Sequence, residues 1–257
     1  MMPFLYQEPN VINVFTDAST SNEKDKQNLN VGAGFLVVNN GVCIDSDVKL
    51  LFKTTSSFGE LYAMFMGVSA IYRDTYIKRY VYHMEPSQYY VYNLFSDSKY
   101  ALDSIRKWIF DWLYNTNRKF KYKNGQLCHI DDYPVLKKSD GYVKNQECIL
   151  HAMMTVISAN VPINFYHIKS HLNPTNEGHI DKAISCFVQN NPHVQGPIPF
   201  TCIADMVKWN NEIDTLTRDV LRSSGEPDYQ YITKTKWPVT TTYPTTSQQQ
   251  QYRSLVQ

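Results

Sequence analysis

Phe95-Ser96-Asp97-Ser98-Lys99-Tyr100, followed by Ala101-Leu102-Asp103-Ser104-Ile105-Arg106-Lys107-Trp108, is the stretch that decides the fold. The aromatic, apolar run from Tyr89 to Phe95 reads as a buried strand. It stops at an acid between two serines, and a helix then opens with Leu102, Ile105 and Ile109 on one face. An acid at the end of a central strand stands where α/β sheets place their chemistry. Taken alone, Ser96 or Asp97 serves equally well as a cap for the helix.

The same grammar occurs at the start of the chain. Val11-Ile12-Asn13-Val14-Phe15-Thr16-Asp17-Ala18-Ser19 is a β-rich run that closes on an acid. Gly32 to Val38 reads as a second strand and Val42 to Phe52 as a third, joined by the hairpin signal Asn39-Asn40-Gly41. The first three strands are therefore expected to run antiparallel in sequence order. Thr54 to Ser57 forms a polar cap before a helix from Phe58 to Arg73, with Leu61, Met64, Phe65, Val68 and Ile71 on its buried face. Glu60 falls in what this reading makes the first turn, where the helix dipole alone would favour an acid. Residues 75 to 87 read as a loop. Val143-Lys144-Asn145-Gln146-Glu147 opens another helix, and Ile163 to Ile168 is a fifth strand leading into Lys169-Ser170-His171. A last helix is expected from Asn210 to about Arg222.

Composition limits the function classes. The 257 residues are 43% hydrophobic, enough for a substantial core. The net charge of +1 leaves local basic clusters to decide any polyanion binding. No stretch approaches about 18 consecutive apolar residues, and the first residues lack a secretory pattern, so a membrane span is not expected and a cytoplasmic location is. The five scattered cysteines have no CxxC spacing, which argues against zinc ligation or a disulfide framework.

Asn117 to Gly125 alternates cations with aromatics: Arg118, Lys119, Lys121 and Lys123 surround Phe120 and Tyr122. That pattern suits phosphate and base contacts, or a solvated turn. Beyond Ser224 the chain becomes rich in Thr, Gln, Pro and Tyr and reads as a low-complexity tail, disordered or weakly docked. The expected organisation is one domain over 1–223, carrying an insertion at 172–209, then a tail over 224–257.

Five motifs in order resemble type 1 ribonuclease H, over about residues 10 to 223. They are Thr16-Asp17-Ala18-Ser19; Glu60-Leu61-Tyr62-Ala63; Ser96 to Trp108; Val143-Lys144-Asn145-Gln146-Glu147; and Lys169-Ser170-His171, where the family has Lys-Gly-His. The resemblance implies an α/β, RNase H-like fold: a five-stranded mixed sheet, three antiparallel strands then two parallel, flanked by helices. It implies an endonuclease acting on the RNA strand of RNA/DNA hybrids, with Asp17, Glu60, Asp97 and a late Asp holding two Mg2+ or Mn2+ ions. His171 matches the histidine that assists proton transfer or product release. Carboxylates converging on hard cations are what two-metal phosphodiester hydrolysis needs.

The late Asp departs from the family spacing. Asp181, in Asn176-Glu177-Gly178-His179-Ile180-Asp181, is near His171 but one position late. Asp214, in Asn210-Asn211-Glu212-Ile213-Asp214-Thr215-Leu216-Thr217-Arg218, has the right helical spacing beyond a long insertion. Loops absorb insertions at little cost, whereas helical register fixes where a carboxylate points, so Asp214 is the choice. Ser19, Asn145 and the backbone around Gly34 are the expected minor-groove contacts, and the basic stretch is the expected grip on the DNA strand. The partner is thus an RNA/DNA hybrid, with no small-molecule cofactor and a monomeric chain. Two alternatives remain: a catalytically weak nucleic-acid-binding module, and a DNA nuclease or resolvase of the same fold.

Overall fold

The computed structural model describes residues 4–21, 29–85, 88–114, 120–121, 127–128, 136–138, 141–194, 196–223 and 245–256. Its centre is a five-stranded sheet in the order β3-β2-β1-β4-β9. β1 (Val11–Thr20), β2 (Leu29–Asn39) and β3 (Val42–Thr54) are antiparallel neighbours. β4 (Val91–Ser96) and β9 (Ile163–His167) run parallel to β1. Four two-residue strands form separate pairs: β5 (Phe120–Lys121) with β6 (Leu127–Cys128), and β7 (Lys137–Lys138) with β8 (Gly141–Tyr142). The β2–β3 turn is the expected two-residue hairpin, with positive φ at Asn40 (48°) and Gly41 (72°).

Alternation along β1 assigns the two faces. Ile12 and Val14 enter a core with Tyr92, Leu94 and Phe165, covered by α1 (Ser56–Tyr80) and α4 (Gln146–Ala159). Phe15 enters a second core with Leu36, Phe95 and Tyr166, covered by α5 (Glu177–Asn190) and α6 (Phe200–Arg222). Two cross-strand ladders run over this second face. Asn164 donates to Asn93, and Asn93 to Asn13, each at 2.9 Å. Above them Phe15, Phe95 and Tyr166 stack at 4.8 and 5.3 Å. The next residues up the two central strands on this face are Asp17 and Asp97. Polar ladder, aromatic ladder and acids therefore follow in order toward the strands' C-terminal ends.

Several boundaries differ from the sequence reading. α1 runs to Tyr80, so residues 75–80 are helix and not loop. The extension is held by packing: Lys78 pairs with Asp74 one turn earlier and lies 3.1 Å from the Tyr92 hydroxyl, while Thr75 is buried. Thr55 caps α1, accepting from the Phe58 amide at 3.2 Å, so Glu60 is past the first turn and the dipole does not account for it. Asp97 caps nothing either. Ser98 caps α2 (Lys99–Asp103), accepting from the Ala101 amide. α2 continues through a π-helical turn (Ser104–Trp108) into α3 (Ile109–Tyr114), with Leu102, Ile105 and Ile109 fully buried as expected.

The expected insertion contains α5, capped by Asn176, and its last ten residues belong to α6, which begins at Phe200 and not Asn210. Ile203, Met206 and Val207 carry the buried face back to that point. Asn191 then pins the end of α5 to the open edge of β9. Its side chain accepts from the His167 amide at 2.9 Å and donates to the His167 carbonyl at 2.8 Å, as a further strand would. Of the expected tail, residues 224–244 lie outside the described residues, and the far end is helical and docked. Residues 246–255 form α7 (Thr246–Leu255), capped by Thr245, and Val256 bridges to Ile163. Tyr252 is fully buried and donates at 2.7 Å to the Ile105 carbonyl in the π-helical turn. The buried Leu255, the Gln251 amide on the Ile157 carbonyl and Asn160, and Arg253 over the Phe110 ring complete the docking of this glutamine-rich helix.

Candidate active site

The parallel register Thr16↔Ser96 places Asp17 and Asp97 side by side, each one residue beyond that pair. Glu60 arrives from α1 on the other face. The approach of α1 is close because Gly59 has no side chain: a Cβ there would lie 2.3 Å from Val31 Cγ1. Asp17, Glu60 and Asp97 each offer a carboxylate oxygen, and the three oxygens lie within 4.8 Å of one another. Glu60 Oε2 is buried with no hydrogen-bond partner. Three hard oxygen donors and an orphaned buried carboxylate oxygen fit a divalent cation such as Mg2+ or Mn2+.

Asp214 enters from α6 beside this cluster. α6 lies tight on β2, since a Cβ on Gly32 would stand 2.1 Å from the Thr217 carbonyl. Ser19 donates to Asp214 Oδ1 at 3.2 Å, Arg218 pairs with Oδ2, and His171 Nδ1 lies 3.6 Å from Oδ2. The buried Thr217 hydroxyl is 3.3 Å from Asp17 Oδ2, 3.1 Å from Ser19 Oγ and 3.0 Å from the Asp214 carbonyl. A hydroxyl has one proton, so Thr217 donates to one of these at a time; of the two acids it reaches only the Asp17 carboxylate, its contact at residue 214 being the backbone carbonyl. Asp181, the alternative, is exposed on α5, whose inward residues are Ile180, Ala183 and Phe187.

His171 holds a left-handed backbone (φ 54°) and its side chain is 74% exposed. Ser170, where the family motif has glycine, gives its hydroxyl to the Asp97 carboxylate. Ser170, Thr217 and Arg218 are polar neighbours of the acids to which the sequence motifs assign no role; tertiary placement brings Ser170 to Asp97 and Thr217 to Asp17, whereas Arg218 meets Asp214 one turn earlier on its own helix. Asn145 has positive φ (58°), and its side chain bonds the Tyr100 hydroxyl. Gly34 is a packing residue, its missing Cβ replaced by the Asp47 carbonyl, Val48 and Ile213. Arg118, Lys119 and Lys123 lie outside the described residues, and only the backbone of Lys121 is described.

The acids resist ionising together. Burial first, then the charges of Asp97 and Asp214, push the Asp17 carboxyl up to about 7 from an ordinary 3.8. Burial and then Asp17 and Asp97 raise Glu60 well above its ordinary value. Burial raises Asp97, against the Ser170 hydroxyl and His171, which favour its charged form. A carboxyl with a raised folded-state pKa binds more protons folded than unfolded between its two pKa values. Stability of the metal-free protein is therefore expected to fall as pH rises from about 4 to about 7, by a few kcal/mol from Asp17 alone. Added Mg2+ should recover it at pH 7.5. Thermal melts across pH, with Mg2+ or EDTA, check this; a Tm that ignores both would contradict it.

A mixed sheet of this order, with acids at the ends of its two central strands, defines the ribonuclease H-like class of fold. The RNase H family model matches residues 9–185, more than half of the chain, and the chain belongs to that family. The matched span includes Asp181 and ends before Asp214. No curated protein sequence matches the chain. Among solved structures it is similar to LC9-RNase H1, described as a type 1 RNase H with the type 2 active-site motif, at 16% identity, covering 80% of this chain and 86% of that one (TM-score 0.41). It is also similar to the foamy viral protease-reverse transcriptase in complex with RNA/DNA hybrid, at 12% identity, covering 76% of this chain and 22% of that one (TM-score 0.45). RNase H1 from Halobacterium salinarum NRC-1 is 9% identical, covering 62% of this chain and 85% of that one (TM-score 0.34). Among the described residues no helix is long and apolar enough to cross a membrane.

Proposed function

We propose that the chain is a metal-dependent ribonuclease H that hydrolyses the RNA strand of RNA/DNA hybrids. The observation that carries the reading is the convergence of Asp17, Glu60 and Asp97, from two strands and the opposite helix, within 4.8 Å. Asp214 is the fourth carboxylate in this reading, and the set would hold two Mg2+ or Mn2+ ions. Bound divalent cations supply Lewis-acid activation of water and stabilisation of the leaving 3′ oxygen.

The protein's own groups do the rest. The buried acids form a compact, negatively charged recess that keeps the cation ligands in fixed positions. Ser170 orients Asp97, and Ser19 with Arg218 orients Asp214. His171 is exposed enough to swing between Asp214 and a phosphate, carrying a proton or easing product departure. Selection of RNA rests on the 2′-hydroxyl, the only sugar group that distinguishes the strands. Asn145 stands in this reading as a groove contact. Ser19 reaches the substrate only if it leaves Asp214. Arg118, Lys119, Lys121 and Lys123 are proposed to hold the DNA strand.

The test is strand-resolved cleavage of a hybrid, beside duplex DNA, duplex RNA and single strands. Cutting of the hybrid's RNA strand alone is expected. Binding without cutting would indicate the inactive module, and cutting of duplex or branched DNA would indicate a nuclease of another branch.

A further inference from the structure

A groove of about 390 Å3 lies between α2 with its π-helical turn and the end of α5, bordered also by Val256 where it bridges to β9, outside the carboxylate site. One wall is α2 and the π-helical turn, with Lys99, Arg106 and Lys107; the other is the end of α5 and the turn after it, with Gln189, Asn190 and His193. Arg106 forms the fixed floor. Its Nη1 donates to the Phe165 carbonyl at 3.2 Å, its Nη2 to the Asn190 carbonyl at 3.4 Å, and its Nε lies 3.4 Å from Asp103 Oδ1. Two of these acceptors are neutral, and Asp103 is the one acid in the groove. Lys99 and Lys107 are exposed at the rim, and neither has an ion pair among the described residues.

The second wall is preformed. Asn191 fastens the end of α5 to β9, and His193 stacks flat on Tyr166 at 5.5 Å. After burial, the positive charge of Arg106 lowers the pKa of His193, and Arg106 with Lys99 does the same at His167. With Arg106 paired to Asp103, the net positive charge of the groove comes from Lys99 and Lys107, and Gln189 and the amide hydrogen of Asn190 not used on the Cys186 carbonyl can donate to phosphate oxygens.

Its position relates it to the acids. Lys99 is two residues past Asp97, and Lys107 is eight residues further along the same helix. At about 1.5 Å per residue this is roughly 12 Å. That span corresponds to three or four steps of about 3.4 Å along a nucleic-acid strand. We propose that this groove is a second phosphate track, in which Lys99, Lys107 and the α5 end grip backbone phosphates of the substrate strand leaving the catalytic acids. The inference rests on the proposed ribonuclease H reading and assigns the insertion between β9 and α6 a role in substrate grip.

Binding of long and short labelled hybrids to the Asp97→Asn protein in Mg2+ tests it, with Lys107→Ala and Lys107→Glu compared across salt concentrations. For a hybrid of roughly 18 base pairs, Lys107→Ala is expected to lower the slope of log affinity against log salt by about 1, with a several-fold weaker Kd at low salt. Lys107→Glu should weaken it further. A hybrid of roughly 6 base pairs, which extends only about three steps to either side when centred on the acids and so stops short of Lys107, should bind all three proteins alike. Equal affinity and slope with the long hybrid would overturn the proposal, and so would equal losses on both lengths. Saturable binding of inorganic phosphate to the groove, with no length-dependent effect on hybrid, would show a small-anion site instead and also overturn it. Cleavage by the otherwise unaltered chain is measured alongside: hybrid cutting with unchanged binding by the Lys107 variants refutes the track alone, and length-dependent binding without cutting refutes only the nuclease reading.

Discussion

Asp97→Asn should reduce hybrid cleavage by on the order of 1,000-fold or more, while raising the melting temperature of the metal-free protein. The two effects have one cause. Asp97 lies at the end of a central strand, half-buried, with Asp17 and Glu60 as close neighbours. Its charge is useful only when cations share the recess. Without them it repels Asp17 and Glu60, and the amide removes that repulsion without changing shape. A gain of about 1 kcal/mol corresponds to a rise of about 2–4 °C in a chain of this size. The part of the pH-dependent loss of stability that depends on Asp97 should flatten as well. A variant that loses activity and also melts lower would place Asp97 in the scaffold. Near-normal cleavage would remove it from the site.

Asp214→Asn should cost activity on the order of 100-fold or more, whereas Asp181→Asn should leave it within about twofold. The family match includes Asp181 and stops short of Asp214, so the choice between them rests on geometry. The geometry is specific. The Asp214 carboxylate receives the Ser19 hydroxyl, pairs with Arg218 and faces His171. Asp181 is exposed on α5, and its recorded role is a backbone one, its carbonyl accepting from Ser185. Loss of activity in both variants would mean that α5 moves toward the acids during the reaction. The reverse ranking would transfer the fourth ligand to Asp181. Kinetics of the two variants at saturating Mg2+ decide between these outcomes.

The arrangement of the sheet and of the first three acids was legible because it depends on local patterns. Two β-rich runs end in Asp, and parallel pairing of their strands brings the ends together whatever the loops do. Asp214 was legible from the spacing around it, since a helix carries its register through any length of preceding loop. What the sequence reading missed was decided at a distance. α1 gains its last turn from Lys78, Asp74 and Tyr92, the last on another element. α7 docks through Tyr252, whose partner carbonyl is 147 positions away. Ser170 and Thr217 are ordinary polar residues until the fold gives them Asp97 and Asp17 to bind. The basic groove combines two helices whose residues are about 85 positions apart, as the bond from Arg106 to Asn190 shows.

The most direct test of the central claim is metal-dependent cleavage of one labelled RNA/DNA hybrid. RNA-strand cutting in Mg2+ or Mn2+ should stop when EDTA is added and resume when the cation is restored in excess. Cutting that continues in EDTA, or no cutting with either metal by a folded protein, would contradict the assignment of Asp17, Glu60 and Asp97 to a metal-dependent nuclease centre.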